Sequence, residues 1–298
     1  ICGWWKPNTE VGVTADLDQM RDPLGLKRLG YAKALLTHPA IRWEDGVARL
    51  SEEQIAEEVP VVLVYNGLPH VVMMATPMDL EDFALGFSLT EELIGAPSDL
   101  REVEVLRYGE GIEVQVRVAE SYEGVIASRT RRLSGRTGCG ICGADSIGAV
   151  LKQLHPVPPG PAIAPEAIHE AIRQLVTHQQ LNAVAGAVHA AGWATCEGRV
   201  TVAREDVGRH NALDKLVGAL RRAGTDAANG FVVVTSRASF EMVQKTTVLG
   251  APLMASISGP TGLAVRVAQQ SGLTLVGFVR NGRHTVYTHP GRVTAAPS

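Results

Sequence analysis

"FVVVTSRASFEMVQKTTVLGAPLMASIS", residues 231–258, reads as strand "FVVVTS", helix "SFEMVQKTTVLG" and strand "LMASIS". The alternation continues on both sides, with "RVTVA" and "NALDKLVGALRRAG" before it and "TGLAVRVAQQSG" and "LTLVGFV" after it. Strands separated by helix-length segments cannot pair as tight hairpins, so this succession predicts a mixed, mainly parallel sheet covered by helices on both faces. In such a sheet ligands sit beyond the carboxyl ends of the strands. That rule puts Ser236, Arg237, Ser258, Gly259, Thr261 and the run Arg280 to Arg283 on one rim.

Upstream the pattern is different. In "EVPVVLVYNGLPHVVMMAT" two apolar runs flank Asn66-Gly67, a β-hairpin signal. "TPMDLEDFALGFSLTEELIG" follows with Thr76 as N-cap, Pro77 at the first helical position and Leu80, Phe83, Ala84 and Phe87 at helical spacing, which predicts a helix over 77–94. "REVEVLRY" and "IEVQVRVA" alternate as a half-exposed strand pair does. Residues 1–50 show no sustained period and read as an extension. Residues 51–135 read as a small α+β domain and 136–298 as an α/β core domain. "HPVPPGPAIAP", with five prolines between 156 and 165, reads as a connector before a helix over 166–179.

A formal net charge of −3 gives no general electrostatic case for nucleic-acid or membrane binding. No run approaches the roughly 18 apolar residues that cross a bilayer, and no basic segment ahead of an apolar one marks a secretory signal. The expectation is a soluble, cytoplasmic protein. Four cysteines in 298 residues are too sparse for a disulfide scaffold, so a C-x-x-C points to thiol or metal chemistry.

That C-x-x-C lies in "RTGCGICGAD", residues 136–145, whose Gly138, Gly140 and Gly143 also spell G-x-G-x-x-G. A dinucleotide fingerprint needs a strand directly before it, and "SRTRRLSGRT" is polar and basic. Ile147, Val150, Leu151 and Leu154 repeat at helical spacing, so Cys139 and Cys142 are expected just ahead of a helix N-terminus. Partial positive charge there, with Arg129, Arg131, Arg132 and Arg136 upstream, favours thiolate over thiol. The flanking glycines predict a loop free to carry a thiol from place to place.

Zinc needs four ligands; there is no second C-x-x-C, and His284 and His289 flank an apparent strand that aims them apart. A zinc deaminase needs H-x-E and P-C-x-x-C, whereas "HAA" puts Ala191 where the glutamate belongs and Gly138 precedes Cys139. No metal site is therefore expected, with a thiol–disulfide oxidoreductase or a zinc-binding protein kept as alternatives.

Two further segments are dense in polar groups. "AREDVGRHNALDK" packs Arg204, Glu205, Asp206, Arg209, His210, Asn211, Asp214 and Lys215 between a strand and a helix, which favours a site over a solvated turn. "SISGPTG" offers a phosphate-ready helix start at Gly259, Pro260 and Thr261, and "FVRNGRH" adds Arg280 and Arg283 around an Asn-Gly turn. Together they point to an anionic ligand such as a nucleotide.

The segments "NGLPHVVMMATPMDLEDFALGFSLTEELI", "GCGICG", "AREDVGRHNALDKLVG", "TSRASFEMVQK" and "GFVRNGRHTVYTHP" resemble, in order, the formate dehydrogenase accessory sulfurtransferases of the FdhD family. The resemblance implies a cytoplasmic sulfur carrier. Such a protein takes persulfide sulfur from a cysteine desulfurase and delivers it to the molybdenum cofactor, bis-molybdopterin guanine dinucleotide, before that cofactor enters formate dehydrogenase. It places the persulfide on Cys139, with Cys142 as second thiol. It places the cofactor at Phe278, Val279, Arg280, Asn281, Gly282 and Arg283, near Ser258, Gly259 and Thr261. The implied core is cytidine deaminase-like, in keeping with the disarmed "HAA". A homodimer is an open assembly state. "TEELI" stands where T-E-G-I-I is expected, and Ala144 where a lysine is common.

Overall fold

The computed structural model describes residues 28–29, 32–133 and 155–294. Its first sheet has five strands in the order β1-β6-β7-β4-β5: β1 (Arg28–Leu29), β4 (Val59–Tyr65), β5 (Leu68–Ala75), β6 (Leu100–Tyr108) and β7 (Gly111–Val118). β4 and β5 form the expected hairpin, with Asn66 at φ 47° and Gly67 at φ 83° as a primed turn demands. Val61, Leu63, Val114 and Val116 point to one face and bury against Phe83 and Phe87 of α1 (Leu80–Thr90). Ile126 of α2 (Glu123–Leu133) completes that core.

α1 is shorter than the predicted 77–94, and Thr76 does not cap it. Asp79 takes the N-cap position at φ 52°. Thr76 is instead fully buried: its N–H donates to Asp206 Oδ2 at 3.1 Å and its hydroxyl accepts from the Val207 N–H at 3.1 Å. Residues ahead of β4 are also more regular than expected. β2 (Leu35–Glu44) and β3 (Val47–Ala56) pair across Asp45-Gly46, at φ 49° and 80°, so the boundary expected at residue 50 falls inside β3.

The second sheet has the order β13-β12-β11-β10-β8-β9, built from β8 (His189–Thr195), β9 (Val200–Asp206), β10 (Gly230–Val234), β11 (Leu253–Ser256), β12 (Thr274–Arg280) and β13 (Arg283–Val286). Its centre, β10-β11-β12, is parallel; β8, β9 and β13 are antiparallel to their neighbours. The sheet is mixed as expected, but it is parallel only at its centre and not for the most part. The physical reason is local: "HAAGWAT" makes an unexpected strand that turns directly into β9, and Asn281-Gly282 folds β13 back on β12.

Helices cover both faces, as expected. α3 (Pro165–His178) packs on one, through Ile168, Ile172 and Leu175 against Phe231, Val233 and Ala255. α4 (Gln180–Ala185) follows it. α5 (Arg209–Arg222), α6 (Phe240–Leu249) and α7 (Gly262–Ser271) pack on the other, against Val232, Val234 and Met254.

The two sheets meet where α1 crosses α5. A Cβ on Gly86 would lie 1.7 Å from the Asp214 carbonyl oxygen, and one on Gly218 1.9 Å from that of Asp82, so the crossing brings backbone against backbone. Around it charges are buried in pairs: Lys215 Nζ to Asp206 at 2.6 Å, Lys245 Nζ to Asp214 at 2.9 Å and Arg204 to Asp82 at 2.7 Å. Among the described residues no helix is long and apolar enough to cross a membrane.

Candidate functional site

The joint absorbs most of the polar segment at 203–215. Glu205, Asp206, Asn211, Asp214 and Lys215 are all buried. Glu205 accepts from the N–H groups of Leu181 and Asn182 at 2.9 Å, which caps α4, and Asn211 donates to the Met74 carbonyl at 2.9 Å and to Asp206 at 3.0 Å. This packing corrects the reading of the whole segment as one ligand site. Arg209 and His210 are the members that reach the rim, at the start of α5.

The rim itself forms as the sheet rule predicts. Val234, Ser256 and Arg280 end their strands on the same side, and the loops beyond β10 and β11 touch through the Ala238–Pro260 bridge. The Thr261 N–H donates to the Ala238 carbonyl at 3.0 Å and its hydroxyl accepts from Ala264 N–H at 3.3 Å, so Thr261 is the N-cap of α7 with both groups in use. Ser258 offers its carbonyl to the Phe278 N–H at 3.2 Å and to the Ser256 hydroxyl at 2.7 Å. Gly259 lies under the Phe278 ring, where a Cβ would come within 2.6 Å of Cζ.

Phe278 is the unusual residue. The ladder between β12 and β13 slips between Gly277 and Arg280, and Phe278 adopts φ 54° and is 41% exposed. A bulge re-aims a side chain, and a bulky residue at positive φ is a strained position that functional sites retain. The Asn281-Gly282 turn, at φ 51° and 71°, then sets Arg280 opposite Arg283. Phe278, Arg280, Gly282, Arg283, His284 and Thr285 line one open groove of about 660 Å³, and the Arg280 guanidinium lies 5.7 Å from the Phe278 ring centroid. Val279 is fully buried in the core, and neither it nor Asn281, Ser258, Gly259 or Thr261 lines this groove.

His284 was not expected here. Its Nδ1 lies 3.0 Å from Nε2 of His169 on α3. Burial first, and then His169, hold His284 below the ordinary histidine range, so it faces the groove as a neutral ring at neutral pH. Only the alternation of β13 would have pointed to it, and nothing in the sequence would have paired it with a histidine 115 positions away.

Residues 56–294 match the FdhD/NarQ family. The chain belongs to that family. Over 257 residues, 86% of this chain and 89% of the relative, it is 50% identical to the sulfur carrier protein FdhD of Cupriavidus necator. It is 47% identical over 262 residues to that of Bordetella bronchiseptica, covering 87% of this chain and 95% of the relative. A crystal structure from Desulfotalea psychrophila, of a protein assigned as a formate dehydrogenase accessory protein, superposes with a TM-score of 0.70 at 25% identity over 88% of this chain and all of that one.

The FdhD/NarQ match runs through the C-x-x-C segment, but Cys139, Cys142 and the helix expected after them lie outside the described residues. The described residues on either side of that segment meet at one carboxylate. Arg129, on α2, lies 3.4 Å from Glu92 Oε2, and His155, where the description resumes, lies 2.5 Å from Glu92 Oε1. Both flanks are thus held by one carboxylate just past α1, next to Glu91, which lies 3.2 Å from Lys245 Nζ of α6. Among the described residues no cluster of three or more His, Cys, Asp or Glu side chains is arranged to hold a metal. Cys196 is a half-buried free thiol that donates to the Asn229 carbonyl, and burial raises its pKa.

Proposed function

We propose that this FdhD/NarQ protein is a sulfur carrier: a sulfurtransferase that accepts persulfide sulfur from a cysteine desulfurase and passes it to bis-molybdopterin guanine dinucleotide on the way to formate dehydrogenase. The observation that carries the reading is the 50% identity over nearly the whole chain to a named sulfur carrier. In the first step the Cys139 thiolate attacks the outer sulfur of the desulfurase persulfide, the donor's sulfur–sulfur bond breaks, and the donor cysteine leaves as thiolate. Cys139 then holds a persulfide. In the second step the outer sulfur leaves for the cofactor. Attack by Cys142 on the inner sulfur, the Cys139 Sγ, breaks the persulfide bond, forms a Cys139–Cys142 disulfide and releases the outer sulfur as sulfide, two electrons passing from the pair of cysteines to the departing sulfur. A dithiol reductant resets the pair.

The acceptor's guanine nucleotide fits the rim groove on chemical grounds. An exposed ring at Phe278 offers a face for a base, and Arg280 and Arg283 offer charge-assisted donors to phosphate. We read the core as cytidine deaminase-like, with His189 and Ala191 at the rim in place of that chemistry's H-x-E. The compartment is read as the cytoplasm, where free thiols persist.

Incubation with a desulfurase and cysteine, followed by intact mass measurement, is expected to add about 32 Da, one persulfide sulfur, in a form removed by dithiol. The Cys139→Ala variant is expected to lose that species. A wild-type protein that gains no sulfur overturns the carrier reading. Stoichiometric zinc together with that result favours the metal-site alternative, and dithiol-dependent disulfide turnover needing both cysteines favours the oxidoreductase.

A further inference from the structure

The same rim gathers a second set of cations beside the groove. β8 begins at His189, opposite Asp206 at the end of β9, and β10 ends beside it, since Val234 pairs with Ala191 and is followed by Ser236 and Arg237. α5 starts at Arg209, three residues after β9. His189, Arg209, His210 and Arg237 therefore converge where β8 begins and β9 and β10 end. Burial and then the charge of Arg237 hold the Arg209 guanidinium below the ordinary arginine range.

The two acids nearby have other hydrogen-bond partners. Asp206 pairs with Lys215 at 2.6 Å and accepts from Thr76 N–H, Gly208 N–H and Asn211. Glu241 lies 3.4 Å from His210 and accepts from the Ser239 hydroxyl at 3.0 Å; its negative charge favours the charged Arg209, but by less than burial and Arg237 oppose it. Arg209 Nε is buried with no hydrogen-bond partner among the described residues. A shielded guanidinium N–H left without an acceptor, next to a second guanidinium, is costly unless an anion completes it. Ser239 is the N-cap residue of α6, yet its hydroxyl makes no capping bond and donates to Glu241 instead, so Ser239 does not cap the first-turn amides of that helix. The Ala238–Pro260 bridge joins this cluster to the loop carrying Gly259 and the Phe278 ring above it.

We propose that Arg209 and Arg237 form a phosphoryl socket, continuous with the Phe278–Arg283 groove, that takes the phosphates of the nucleotide bound there. The socket rests on the nucleotide reading of the groove given above. Its ligand chemistry is a diphosphate, free or carried by a nucleoside.

The test is calorimetric titration of the full chain with guanosine diphosphate, inorganic pyrophosphate and guanosine. Arg237→Gln, at an exposed position, and Arg209→Lys, which keeps the charge but moves the donors, are each expected to weaken guanosine diphosphate by about tenfold or more, as loss of a charge-assisted bond does. Pyrophosphate follows the same loss, and guanosine, having no phosphate, is unchanged by either variant. Changes below about twofold in both variants, with Arg283→Gln still weakening the nucleotide, overturn the socket and leave the groove reading standing. Wild-type protein that binds neither guanosine diphosphate nor guanosine overturns both. Pyrophosphate binding that is equal in wild type and variants marks an adventitious ion and also overturns the socket. Circular dichroism checks that each variant is folded.

Discussion

Phe278, with Gly259 under its ring, is the smallest unit of the groove that makes a sharp prediction. Stacking of a base on an aromatic ring is worth about 1–3 kcal/mol, so Phe278→Ala is expected to weaken guanosine diphosphate by at least about fivefold in a calorimetric titration. Gly259→Ala is expected to act in the same direction, because its new Cβ takes the place of the ring edge 2.6 Å away. Unchanged binding in both variants removes Phe278 from the site. The histidines carry a pH dependence. Burial, with Arg209 and His210 alongside, holds His189 below the ordinary value of 6.5, and burial with His169 does the same to His284. The unfolded chain therefore takes up protons first as pH falls, so stability present above about 6.5 is lost as the pH drops through and below that value. Urea midpoints are expected to fall between about pH 7.5 and pH 5.5, and the His189→Gln, His284→Gln double variant is expected to flatten the slope. Arg280 and Arg283 were legible because an Asn-Gly turn fixes their spacing within a few residues. Arg237 was legible from the strand-end rule and Arg209 from its polar segment, but that the two face each other was not, and neither was His169, because these neighbours come from different strands and helices.

At the scale of elements, the strands that hydrophobic run and turn chemistry define locally were readable, and those that depend on pairing were not. The hairpin β4–β5 and the parallel centre β10-β11-β12 follow from β-branched runs bounded by turns. β8 escaped because "HAAGWAT" is mostly small residues with little strand preference of its own; it is a strand because β9 and β10 flank it. β2–β3 had a signal, Asp45-Gly46, which the irregular residues around it obscured. The crossing of α1 on α5 has no sequence signature beyond two glycines in otherwise ordinary helices. There Gly86→Ala and Gly218→Ala each drive a Cβ into a carbonyl oxygen at under 2 Å. Overpacking costs typically 1–3 kcal/mol, so each variant is expected to lose about that much or more in urea unfolding. A loss of less than about 0.5 kcal/mol, the scale of an ordinary surface substitution, rules out the close crossing.

Across the whole molecule, two sheets with separate apolar cores are held in register by buried charges, with Lys215 and Asp206 both fully enclosed. Removing one partner of a buried pair leaves an uncompensated charge and costs about 3–5 kcal/mol. Lys215→Met is expected to show that loss, and to reduce the cooperativity with which the two sheets unfold when circular dichroism and tryptophan fluorescence are compared. Coincident transitions with an unchanged midpoint argue against a load on this pair. The clasp at Glu92 has a different kind of consequence. Arg129 and His155 meet on one side chain, so α2 and the segment that leads into α3 are tied to the end of α1 through a single carboxylate. The clasp itself can be tested: Glu92→Gln removes the charge that both Arg129 and His155 meet, so one substitution loosens two elements that lie 26 positions apart in the chain.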